Sequence, residues 1–139
     1  MKAVIIDVSA RQVKDVVVPN RLDFRYKVFQ KIVGGLTDED YPTINGRLVV
    51  VGVQDNSIHR RDLDYFSIAG YQHILPGNGY MYGITRDWKD VDLPFNAKQI
   101  AKWVQFHKKE DIHKRFSLKS RTECVNEDVV CAMGLTPDE

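Results

Sequence analysis

Hydrophobic and polar positions along the chain follow two different periods. Ala3–Val8 is nearly all apolar and rich in β-branched residues, the pattern of a strand. Ser9-Ala10-Arg11 turns the chain, and Gln12–Val18 ends in a second apolar run, so the pair predicts an opening hairpin. After Pro19-Asn20 the period lengthens. Leu22, Tyr26, Phe29 and Val33 recur at helical spacing, with Val28 and Ile32 beside them. Arg21, Arg25, Lys27 and Lys31 are expected on the wet face. Asn20 with Asp23 three residues on has the form of a capping box, and Gly34 supplies the stop.

Leu36–Tyr41, with Asp38-Glu39-Asp40, is expected to be an acidic loop, and Asn45-Gly46 a turn. Arg47–Val53 is apolar on both faces, which predicts a strand covered on two sides. Leu63–Ile68 predicts another strand. Tyr71–Leu75 and Tyr80–Thr85 predict short aromatic strands joined as a hairpin by Pro76-Gly77-Asn78-Gly79. Asn96 and Gln99 repeat the capping pattern ahead of a stripe of Ala97, Ile100, Trp103 and Val104, which predicts a second helix near 97–106. Beyond it the periodicity fades, although Asn126–Met133 has the pattern of a short helix stopped by Gly134.

These elements predict an α+β fold. A single domain over residues 1–107 holds a mostly antiparallel sheet, with the helix of about 21–33 packed on it and the second helix near 97–106. Residues 108–139 are expected to form an appendage, basic at first and then acidic.

Composition narrows the class. The chain has 139 residues, 43% hydrophobic and 28% charged, with a net charge of +1, which suits one globular domain and excludes disordered, collagen-like and disulfide-scaffold classes. No apolar run is long enough to span a bilayer, and the apolar stretch after Met1 is too short for a signal peptide. A cytoplasmic protein is therefore expected, with Cys124 and Cys131 as free thiols.

Candidate chemistry is sparse. The histidines, His59, His73, His107 and His113, sit in no nucleophile motif, and there is no G-x-S-x-G. His107, His113, Cys124 and Cys131 have spacings unlike a structural zinc site, and Asp87, Asp90 and Asp92 around Trp88 lack the glycine and terminal glutamate of a calcium loop. No catalytic residue, metal or cofactor is assigned, and Trp88 is expected to plug the core in part. Two stretches carry binding chemistry instead. In the first, Gly77, Asn78 and Gly79 offer backbone N–H groups to an anion. Tyr71, Tyr80 and Tyr82 offer rings to a flat ligand, and Arg86 a charge to its phosphate. In the second, Lys108, Lys109, Lys114, Arg115, Lys119 and Arg121, interleaved with Phe106 and Phe116, have the makings of a nucleic-acid surface.

Phe29-Gln30-Lys31-Ile32-Val33-Gly34-Gly35 and the run from Phe66 to Gly83, which contains Ile68-Ala69-Gly70-Tyr71, Gly77-Asn78-Gly79 and Gly83, resemble a family of small uncharacterised bacteriophage proteins. The likeness covers about residues 1–107. Asn78, Tyr80 and Tyr82 are bulkier or more polar than that pattern expects, and the tail has no counterpart in it. The resemblance implies a phage origin and an α+β fold, and no activity. The expected function is therefore a small phage-encoded, non-enzymatic binding protein in the host bacterial cytoplasm, blocking a host protein. The alternatives are sequestration of a nucleotide-type signalling molecule and nucleic-acid binding through 108–121.

Overall fold

A computed structural model describes residues 1–55 and 62–114 of the chain. Strands β1 (Lys2–Asp7) and β2 (Gln12–Val17) form the expected hairpin, with Lys2 opposite Val17 and Asp7 opposite Gln12. Helix α1 (Leu22–Val33) ends at Gly34 in the left-handed conformation, φ 91°. Strands β3 (Thr37–Asp40), β4 (Thr43–Ile44) and β5 (Arg47–Gln54) follow, and Asn45 (φ 48°) and Gly46 (φ 79°) make the β4–β5 turn that their sequence implies. Next come β6 (Tyr65–Ile68), β7 (Ile74–Pro76), β8 (Gly79–Ile84) and β9 (Asp90–Val91). Helix α2 (Ala97–Trp103) leads directly into β10 (Val104–His107), and residues 109–114 are again helical.

The strands make two antiparallel sheets. The large sheet runs β2-β1-β8-β5-β3, with β4 also on β5 and β9 on β8; the small one runs β10-β6-β7. Alternation along β5 and β8 sorts the cores. Val49, Val51 and Met81 point toward the small sheet, where Val4, Ile6, Phe66, Ile68 and Ile100 join them. Val50, Tyr80 and Tyr82 point the other way, under Phe29 and Val33 of α1. The layers are thus α1, large sheet, then small sheet with α2. This is the α+β, mostly antiparallel domain that the sequence predicts.

Several local expectations change. The predicted glycine hairpin does not form, because β7 pairs with β6 and β8 pairs with β1 and β5. Gly77–Gly79 is therefore a crossing between sheets. Residues 37–40 form an edge strand on β5, Glu39 opposite Gly52, in place of a loop. Its charges leave the free edge uninviting to further strands. The second helix stops at Trp103, because Val104–His107 is drawn into pairing with β6. Asn96 and Gln99 do form a full capping box, whereas Asn20 does not cap α1: the N-cap is Arg21, with no side-chain bond.

The folded domain also runs past His107. The Lys109 N–H donates to Asp64 Oδ1 at 2.9 Å, and Ile112 is only 1% exposed. Residues 108–114 are thus part of the body. The remainder of the tail, with both cysteines and Asn126–Met133, lies outside the described residues.

Candidate functional site

The first sequence-predicted site is taken apart by the fold. Tyr80 and Tyr82 share a face, as alternation requires, but that face is core. The Phe29 ring lies flat over both, 3.8 Å from Tyr80 and 5.5 Å from Tyr82 between centroids. The place of a stacked ligand is filled by the protein's own side chain. Asn78 accepts from the Val8 N–H at 3.0 Å and donates to the Ile32 carbonyl at 3.3 Å, so it ties the crossing to β1 and α1. Gly77 N–H donates to the Asp64 carbonyl at 2.8 Å. Gly79 packs so closely that a Cβ there would stand 2.6 Å from the Phe66 ring. Tyr71 donates to Asp40 Oδ2 at 2.8 Å, on the opposite side of β3 from Glu39. Arg86 is exposed in the β8–β9 turn, at the far end of β8 from the glycines. The structure does not bring these residues together around one cavity.

Of the basic set, Lys108 and Lys114 are exposed and Lys109 is half-buried. Arg115, Lys119 and Arg121 lie outside the described residues, as does Phe116.

What the fold does assemble is a polar cluster on the α1 side of the large sheet. Arg25, expected on the wet face, is only 3% exposed, whereas Leu22 of the predicted apolar stripe is 51% exposed. The Arg25 guanidinium donates to the Asn20 carbonyl at 2.7 Å and the Pro19 carbonyl at 3.3 Å. It also pairs with Asp90 and lies over the Tyr82 ring. A charge can sit in this layer because every contact it needs is supplied. Asp90 is 65 residues away in sequence, so local periodicity could not reveal the pairing.

Beside this pair stands Glu39. Tyr80 donates its hydroxyl proton to Glu39 Oε2 at 2.6 Å, and Tyr82 reaches the same oxygen at 3.3 Å and Oε1 at 3.4 Å. Burial raises the Glu39 carboxyl above its ordinary range, and the two tyrosine hydrogen bonds offset part of that rise. Burial and the nearby carboxylate push the hydroxyls of Tyr80 and Tyr82 far above the usual tyrosine range, so both stay protonated donors. Gly52, opposite Tyr80, makes room for this arrangement, because a Cβ there would fall 2.1 Å from the tyrosine ring.

Outward from Glu39 the surface opens into a cleft of about 420 Å³ between α1 and β3, walled by Tyr26, Gln30 and Tyr41 and reaching Asp55. Tyr41 is 42% exposed and meets the Trp88 ring edge-on at 5.3 Å. Trp88 is 65% exposed rather than a core plug, and holds φ 67°, a conformation uncommon for a bulky side chain. The turn beneath it is closed by Trp88 N–H to the Thr85 carbonyl at 3.0 Å and Thr85 N–H to the Lys89 carbonyl at 2.9 Å.

A second pairing, on the outer face of the small sheet, brings Ser67 Oγ within 2.8 Å of His107 Nε2. Ser67 sits in mid-strand with β6 paired on both sides, so its backbone is committed to the ladders and not turned toward a substrate carbonyl. No group of three or more potential metal ligands occurs among the described residues, and no helix there is long and apolar enough to cross a membrane.

Sequence reasoning missed Glu39 because a Thr-Asp-Glu-Asp run has little strand propensity of its own. The available signal was alternation, with Thr37 and Glu39 on one face and Asp38 and Asp40 on the other. No family model matches the chain, and neither does any curated protein or solved structure.

Proposed function

We propose that this protein is a binding module that engages a protein partner through Tyr41, Trp88 and the acidic edge strand β3. The observation that carries the reading is Trp88: largely exposed, in a backbone conformation that favours glycine, and braced edge-on by Tyr41. A turn of this kind closes at least as well on glycine. What tryptophan adds is a large, rigid aromatic surface facing solvent. Exposed tryptophan and tyrosine are the side chains that most often dominate protein interfaces, since they bury much area at small entropic cost. The resemblance to bacteriophage proteins implies an origin and no activity; with that origin, the partner we infer is a host protein, and the outcome of binding is that the host protein is blocked. Nucleotide sequestration has less support, because Phe29 fills the tyrosine platform on which it depended.

Site-specific photo-crosslinking tests this reading. A photoreactive residue that keeps a large aromatic ring, in place of Trp88, is expected to capture one discrete protein from a bacterial lysate, and Tyr41→Ala is expected to abolish the adduct. The same photoreactive residue in place of Lys98, exposed on α2, is expected to capture nothing comparable. The captured protein, once purified, is expected to bind the intact chain. Equal adducts from both positions, or none from position 88, would overturn the reading.

A further inference from the structure

The cleft behind Tyr41 has a chemistry of its own. Glu39 and Asp55 both line it, together with Tyr26 and Tyr41. None of the described residues lining it is basic. The deeply placed cation on this side, Arg25, is held by Asp90 and two carbonyls, and the Asp90 charge offsets its pull on Glu39. Glu39 is only partly occupied. Oε2 receives Tyr80 and Tyr82, whereas Oε1 has a single long contact at 3.4 Å and keeps acceptor capacity. Gln30 also lines the cleft.

We propose that this cleft receives an arginine side chain of the partner protein, its guanidinium donating to Glu39 Oε1 and lying against the tyrosine rings. The inference rests on the binding surface proposed above and names the partner's chemistry. Guanidinium suits the site better than ammonium. It is flat, stacks on aromatic faces and presents several N–H donors at once, whereas an ammonium is a compact and strongly hydrated charge. The fixed tyrosine hydroxyls hold the carboxylate in place before the ligand arrives, so little ordering remains to be done on binding.

The test uses the full chain and three small probes: N-acetyl-arginine amide, N-acetyl-lysine amide and N-acetyl-citrulline amide, which keeps the arginine shape without its charge. Amide chemical shifts are followed during titration. The arginine probe is expected to give saturable shifts at residues 37–41 and at the Trp88 indole, at least tenfold tighter than citrulline and tighter than lysine. Glu39→Gln, which keeps an acceptor for the tyrosines, is expected to weaken arginine binding at least tenfold while far-field shifts stay unchanged. Equal binding of arginine and citrulline, or an unaltered affinity in Glu39→Gln, would overturn the proposal. So would concentration-dependent self-association abolished by Glu39→Gln, which would make a second copy the occupant. If the probes fail while the position-88 adduct persists, the partner surface stands and the arginine is wrong. If the probes bind and the adduct is absent, the cleft takes a free cation and the protein-partner reading falls.

Discussion

The two faces of the large sheet solve the same packing problem with different chemistry. Toward the small sheet, Val4, Ile6, Val49, Val51 and Met81 meet Phe66, Ile68 and Ile100, and among the described residues no fully buried polar side chain joins them. Toward α1, the same strands present Tyr80 and Tyr82 under Phe29, with Arg25 and Glu39 at the margin. The first face needs only volume and shape. The second also needs each donor to find its acceptor, since a buried polar atom left without a partner costs more than its hydrogen bond contributes. Polar atoms are retained on the face that opens into a cleft, and the candidate site lies there.

Substitutions can break this comparison in decreasing order of size. Phe29→Ala removes the ring over both tyrosines and is expected to cost about 3–5 kcal/mol in urea denaturation, as large-to-small core changes do. An unchanged midpoint would mean that α1 docks by some other face. Next comes the Arg25–Asp90 pair. Asp90→Ala strands a guanidinium whose side chain is only 4% exposed, at an expected cost of about 3 kcal/mol. Arg25→Met, which leaves the more accessible partner, is expected to cost clearly less, and the double variant to recover most of the loss. Equal single costs in a double-mutant cycle would show that Arg25 is not the desolvated member. Smaller again is the contrast between neighbours on β8. Tyr80→Phe deletes a donor to Glu39, at about 1–3 kcal/mol. Met81→Leu on the aliphatic face is expected to cost less than about 1.5 kcal/mol.

Glu39 sharpens the comparison through pH. Burial raises its folded-state affinity for a proton above that of the unfolded chain. Its contribution to stability is therefore fully present below the ordinary glutamate value of 4.5 and is lost as pH rises through the higher folded value. Tyr80 and Tyr82 from β8, Arg25 from α1 and Asp90 from β9 set the size of that shift. Glu39→Gln is expected to remove this slope from a pH series of denaturation midpoints, leaving stability at neutral pH equal or higher. A difference between wild type and Glu39→Gln of the opposite sign would contradict the burial of this carboxyl.

Much of the frame was legible in the sequence because it depends on near neighbours. The β1–β2 hairpin, α1 with its Gly34 stop, the Asn45-Gly46 turn and the Asn96–Gln99 capping box all follow from residues within a few positions of one another. The misplaced elements depend on distant partners. Tyr71–Leu75 and Tyr80–Thr85 look like a hairpin until β6 claims Ile74–Pro76 and β1 and β5 claim Gly79–Ile84. Val104–Phe106 continues a helical stripe until β6 recruits it. Arg25 belongs on a wet face until Asp90 arrives. The candidate site combines three such long-range events, β3 on β5, Asp90 on Arg25 and Trp88 on Tyr41, so no local motif announced it.

The central claim is that Trp88 serves binding and not the fold. Trp88→Gly separates the two, since glycine adopts φ 67° without strain and contributes no ring. The decisive measurement follows this variant by urea denaturation and, with a photoreactive residue that keeps an aromatic ring in place of Tyr41, by crosslinking. The account expects a denaturation midpoint equal to or above that of the parent chain, together with loss of the partner adduct formed when Trp88 is present. A midpoint that falls as it does for a core truncation, with the adduct retained, would contradict it.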